Sequence, residues 1–539
     1  MNALRRVIKL IILILLMIVI MGFACRKIHY PIKEARGLWV TRWEWAADES
    51  FNVEKQQDKI RNIFDQAIDL KVNIVFFQIR GNGDSFYRSR FEPWSEILTG
   101  TLGVDPGWDP LAYAIHEAHR RGLELHAWFN AFPAWRGTVA PRHTVPEHVY
   151  NAHPDWLVCD ENGIPMKLSD HYVSLSPGIP AVRNYLIDVA MDIITNYDID
   201  GFHFDYIRYP EGANVEGYSH DPISVRLFNS QAGNPDKLNW EDWQRENINI
   251  FVRKFYEKAT IEKPWLKISA AVIGKYDYSQ WNGYHIVFQD AMQWINEGKM
   301  DFIVPMIYWQ TDHDTAPFEK VAKDWLKKRK YNRFIFPGLM INSLGSENWP
   351  TEEVVKQIEI CRELGNGMVF FSYGGLSRAI DAVLNKGEIR PSNIPPMSWK
   401  DDKPPMDPVN LRAQFLANGT IKLLWNNSNE AHKPGDIVRF NVYRSKDTYI
   451  DFNDARNLLH VTANLDTIYY DISCENGHRY SYAITALDRV GNESPPSNIL
   501  EIDLTQLAMS SNGPLAWGEK ADIRGQSIVI LPEAHVRHD

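Results

Sequence analysis

Cysteine is scarce in this 539-residue chain, with only Cys25, Cys159, Cys361 and Cys474. With the N-terminal Cys25 set apart, the other three are odd in number and fit no zinc-ligand spacing. Neither a disulfide framework nor a zinc site is therefore expected, and no cofactor is implied. Positive charge is also short. The formal net charge is -10, and no basic tract interleaved with aromatics occurs, which excludes nucleic acid as the expected partner. No candidate strand runs into the Gly-rich phosphate fingerprint of nucleotide-binding sheets, which counts against an open doubly wound fold. Long apolar runs are absent except at the N-terminus, where Leu10 to Ala24 is short for a span of about 20 residues.

That N-terminal run has Arg5, Arg6 and Lys9 ahead of it, then small residues and Cys25, the layout of an export signal. It resembles bacterial lipoprotein signals, which implies a signal over residues 1–25, cleavage before Cys25 and lipidation there. A retained membrane anchor is the alternative. Either way the body is expected outside the cytoplasm, in the cell envelope, held to the membrane at its N-terminus.

Aromatics are plentiful: 19 Trp, 23 Tyr and 24 Phe. Pyranose rings stack on indole and phenol through their apolar C–H faces, although a large fold also uses aromatics for buried area. The length itself predicts a large core plus an accessory module. From residue 30 to 390, eight short apolar runs alternate with helical stretches: 36–43, 72–80, 123–132, 200–209, 267–274, 301–309, 333–341 and 367–373. Eight such units predict an α/β domain, a (β/α)8 TIM barrel, with its reactive face at the strand C-termini. Long insertions follow strands two, three and four, and loops of that length are usually functional. A proline-rich stretch, 391–407, reads as a linker. Beyond it the pattern turns to period two over 408–503, and Trp425, Tyr443, Tyr482 and "VGNESPPSN" resemble a fibronectin type III module, an all-β immunoglobulin-like sandwich. Its expected role is that of a spacer or interaction platform. Residues 504–539 form a C-terminal tail.

The stretch "GFHFDYIRYP" (201–210) poses a physical problem, because a core strand seldom buries an Asp without a partner. In a barrel, that residue would end at the mouth. The last polar residues of the strands would then share one pocket: Glu44; Gln78, Arg80 and Asp84; His126, Trp128 and Asn130; His203, Asp205 and Arg208; Asp277; Tyr308 and Trp309; Asn342; Tyr373. Converging carboxylates, amides and rings suit glycoside hydrolysis, in which one carboxyl protonates the leaving oxygen and another attacks the sugar or activates water. Asp205 is the first catalytic candidate, with His203 and Arg208 expected to hold it ionised. Asp84, in a glycine-rich turn, and Glu44, between two indoles, are the candidate partners. Arg80, Trp128, Asn130, His203, Arg208, Tyr308, Trp309 and Tyr373 are the candidate substrate contacts. Asp312, His313 and Asp314 look like a metal cluster but read better as a solvated loop.

"EARGLWVT" (34–41), "FFQIRGNGDSFYRSRFEPWSEILTG" (76–100), "GFHFDYIRYP", "VPMIYW" (304–309) and "GMVFFSY" (367–373) together resemble the glycosyl-hydrolase-like family 10 proteins, bacterial envelope proteins with a (β/α)8 barrel. The resemblance implies an endo-acting glycosidase whose polysaccharide partner is peptidoglycan glycan stripped of its stem peptides. It matches Asp205 to the acid of strand four and Asp84 to the acid after strand two. The motif departs in one respect: Tyr206 stands where many members carry a second acid, and Arg208 replaces an apolar residue. A non-catalytic glycan-binding lipoprotein and a hydrolase of an environmental polysaccharide remain the alternatives.

Overall fold

The computed structural model describes residues 31–505 apart from 48–49, 212–216, 279–280, 347–348, 366, 387–388, 417–418, 429–436 and 464. The signal-like segment, Cys25 and most of the C-terminal tail lie outside the described residues. Eight parallel strands close into a barrel: β1 (Ala35–Val40), β2 (Ile74–Arg80), β3 (Glu124–Asn130), β4 (Gly201–Asp205), β5 (Lys267–Ile273), β6 (Phe302–Met306), β7 (Phe334–Ile335 with Gly338–Met340) and β8 (Gly367–Phe371). β7 is broken at Phe336 and Pro337; its first part pairs with β6, and its second with both β6 and β8. β8 returns to β1, which completes the closure.

A helix follows each strand, and local chemistry fixes where several begin. Asn52 caps Val53–Asp69, and Asp109 caps Pro110–His119 with proline at the first helical position, where no N–H is needed. The strands bury both faces. Leu38, Val75, Phe77, Phe129 and Phe202 pack outward against the helices, whereas Trp39, Ile74, Phe76, Trp128, Phe302 and Val304 fill the interior. This double burial explains why the strands read as continuous apolar runs.

Beyond the barrel, seven antiparallel strands form a three-stranded and a four-stranded sheet, with Trp425, Phe440, Tyr480 and Tyr482 in the core between them. The proline-rich stretch is not a loose connector. Ile394 and Met397 join Val490 in sealing the interior cluster from below, and Met397 N–H donates to the Val490 carbonyl at 2.9 Å. Lys267, at the foot of β5, bonds Glu124 at 2.9 Å and the Arg489 carbonyl at 2.5 Å. The sandwich therefore sits under the strand N-termini, away from the mouth.

Candidate active site

β4 ends on Asp205 because Tyr206 turns into the left-handed region, φ 51°, which breaks the strand. β3 pairs with β4 in a register that sets Asn130 beside Asp205 and Trp128 beside His203. Asp205 is 7% exposed. The Tyr206 N–H donates to its Oδ1 at 2.6 Å, and the Trp128 indole N–H lies against both the Asp205 carboxylate and Asn130 Oδ1, the latter at 3.0 Å. Burial pushes the Asp205 carboxyl up to about 6, against the opposing pull of Arg208, the Tyr206 N–H and Trp128. Of the basic neighbours expected to hold it ionised, Arg208 does pull in that direction, and burial outweighs the pull.

His203 is not one of those neighbours in practice. It lies two residues below the mouth, fully buried, receiving the Trp39 indole N–H on Nε2 at 3.0 Å and meeting Ser269 Oγ through Nδ1 at 2.8 Å. Burial and His126 hold its pKa well below the ordinary value. It is a neutral part of the barrel floor, not a substrate contact.

Arg80 is also displaced from its expected role. A register irregularity between Gln78 and Arg80 takes the guanidinium out of the inward phase. It pairs with Glu92 (Nη2 to Oε1 2.7 Å), donates to the Asn130 and Ala131 carbonyls, and rests on the outward-facing Phe129 ring at 4.8 Å. Its donors are consumed in anchoring the loop after β2. Asp84, in that loop, accepts the Asn82 N–H at 2.9 Å, while Asn130 is occupied by Trp128 and, through Nδ2, the Gly81 carbonyl.

Glu44 accepts three donors: Ser372 Oγ and Gly374 N–H on Oε1, both at 2.6 Å, and Thr41 N–H on Oε2 at 2.7 Å. It ties the loop after β1 to the end of β8, where Asn342 also bonds Ser372. Tyr373 sits beside it, half-buried. Trp309 packs its ring beneath Lys275 Nζ at 5.2 Å. Tyr308 packs at a tilt against Phe371, ring centroids 5.4 Å apart, and its hydroxyl, buried and without a partner among the described residues, feels the charge of Asp205.

Tyr172, Tyr206 and Arg42 stand at the mouth but were not among the candidates; Arg208, which was, meets one of them. Tyr172 comes from the ribbon Ser169–Ser174 in the insertion after β3, and its ring meets Tyr206 edge-on at 5.0 Å. Arg42 donates to the Tyr172 hydroxyl at 3.1 Å and to Asn82 Oδ1 at 3.2 Å. Arg208 lies 4.6 Å over the Tyr206 ring. The insertion length was the one signal for Tyr172; neither its contact with Tyr206 nor that of Arg42 has any local signature. Among the described residues no cluster of three metal-ligating side chains occurs, Asp312 and His313 included.

A buried, proton-tuned carboxyl among aromatic rings at the C-terminal face of a (β/α)8 barrel defines the class as a glycosidase-type barrel protein. The chain belongs to the Glycosyl hydrolase-like 10 family, whose model it matches over residues 34–352. It is similar to glycosyl hydrolase YngK of Bacillus subtilis (strain 168), 28% identical over 501 residues, 86% of this chain and 92% of that protein. It is also similar to glycosyl hydrolase DigH of Escherichia coli (strain K12), 28% identical over 318 residues, 54% of this chain and 69% of that one. Among solved structures, α-L-fucosidase isoenzyme 2 from Paenibacillus thiaminolyticus aligns at 13% identity and TM-score 0.43, covering 70% of this chain and 52% of the fucosidase. The spore cortex-lytic enzyme SleL of Bacillus megaterium aligns at 10% identity and TM-score 0.36, covering 66% of this chain and 74% of SleL.

Proposed function

We propose that this protein hydrolyses O-glycosidic bonds of a polysaccharide, with Asp205 as the group that donates a proton to the leaving oxygen. The observation that carries the reading is the Asp205 carboxyl itself: buried at the barrel mouth, raised to about 6, and set beside Trp128 and Tyr308. A raised carboxyl near working pH is what a general acid needs. Family membership and the glycosyl hydrolase names of its relatives support the same class. The groups acting on the Asp205 charge are Arg208, Tyr206 and Trp128, with no second carboxylate among them. Asp84 and Glu44 are the candidates for the second carboxylate, as nucleophile or as the base that activates water.

The favoured substrate is peptidoglycan glycan freed of stem peptides, met outside the cytoplasm by a chain anchored through lipidated Cys25. The sandwich would serve as a fibronectin-type spacer, holding the barrel by its foot and leaving the mouth open. The isolated carboxyl is the one observation that favours a binding-only protein instead; against it, Asp205 has no ion pair with Arg208 and its proton affinity is tuned. Mass spectrometry of products from stem-free wall strands in heavy-oxygen water, beside a panel of plant and host polysaccharides, tests this. The full chain should release oligosaccharides labelled at the new reducing end, and Asp205→Asn should lower the rate at least about 100-fold. Binding without products from any glycan would move the reading to a binding protein.

A further inference from the structure

Two arginines at the barrel mouth have no ion pair among the described residues. Arg208 is 8% exposed, and no carboxylate of the described residues lies within ion-pair distance of it. Its Nε is sealed without a partner, while its terminal nitrogens are neither sealed nor bonded among the described residues. Arg42 is 1% exposed, with Nε and Nη1 unpartnered and its bonds going to the neutral Asn82 and Tyr172. What sets Arg208 apart is that its terminal donors are unspent: buried Arg183 and Arg333 also have no ion pair among the described residues, but they donate to backbone carbonyls and, for Arg183, to Asn247. Buried Arg80 and Arg36 each pair with a glutamate, Glu92 and Glu34.

A buried charge without a partner costs several kcal/mol. Here two such charges lie at one place, linked through the Tyr172 and Tyr206 rings.

We infer that Arg208 forms an anion subsite for a carboxylate carried by the bound glycan, with Arg42 adding its charge from beneath the Gly81 backbone and the Trp43 ring. The inference rests on the glycan-acting reading above and names its substrate class: a polysaccharide whose sugars bear free carboxylates. Guanidinium presents a planar, two-point donor set that matches a carboxylate, and the Tyr206 ring fixes its plane from one side. An amide or an alcohol in the same position would leave the cation unpaired, so the subsite discriminates by charge.

The test compares stem-free wall strands, whose lactyl carboxylates are free, with the same strands after carbodiimide activation and borohydride reduction of those groups to alcohols. Binding is measured with Asp205→Asn protein, and product release with the unsubstituted chain. The carboxylate strands should bind at least about tenfold tighter, with a preference that shrinks as salt rises. Arg208→Met should bring the two strands to one affinity, and Arg208→Lys should restore part of the difference. Equal binding of both strands by protein with Arg208 intact overturns the inference without recourse to the variants, as does a preference that persists in Arg208→Met. Products released equally from both strands would sink the subsite and leave hydrolysis standing. A preference in binding with no products from either strand would do the reverse.

Discussion

At Asp205 desolvation competes with three stabilising neighbours, and desolvation wins. Its folded pKa, about 6, lies above the ordinary 3.8, so the folded protein holds the proton more tightly than the unfolded chain. The ionised carboxylate is thus a stability cost at pH values above about 6, relieved as pH falls toward 4. Asp205→Asn should raise stability at pH 7.5 by up to ~3 kcal/mol, with the gain vanishing below pH 4, measured by denaturant unfolding across that range. As a proton donor Asp205 also sets the direction of the activity profile: kcat/KM should fall as pH rises through about 6, whereas a base or nucleophile would make it rise. The importance of Asp205 was legible in the sequence because an acid closing an apolar strand needs a reason. Its protonation was not, since His203 and Arg208 stand close in sequence while only one of them acts on it in space.

At the scale of elements, the eight strands and their order follow from the apolar runs, and the insertion after β3 reaches the mouth through Tyr172. Period-two alternation misassigned Arg80, because the irregularity after Gln78 in β2 reverses the inward and outward phase at the strand's end. The side chain then serves the loop that carries Asp84, buried against Glu92, whose own carboxyl burial pushes up. Arg80→Met should cost about 3–5 kcal/mol by leaving Glu92 without its partner. Part of that loss should return as pH falls and Glu92, whose proton affinity burial already raises, is protonated; urea unfolding at pH 7.5 and pH 4.5 reads both. A loss that is the same at both values would mean that packing on Phe129, not charge, is what Arg80 supplies.

Across the whole molecule, the barrel is closed at its foot by residues from outside it. Ile394, Met397 and Val490 complete the interior cluster that begins with Trp39 and Phe76 and ends beneath Trp128. Met397→Ala should therefore cost about 2–5 kcal/mol of barrel stability, and barrel and sandwich should unfold together, read by scanning calorimetry; a sandwich transition shifted alone would separate the two. The amino-acid sequence by itself determined the class of fold, the strand order, the place of Asp205 and the departure at Tyr206 and Arg208, because each depends on residues close together in the chain. Only the tertiary structure decided that Asp205 is raised, that His203 is floor, that Arg80 belongs to Glu92 and that Arg42 and Arg208 have no ion pair among the described residues. Those outcomes depend on burial and on partners brought together by barrel closure, and neither is encoded by spacing along the chain.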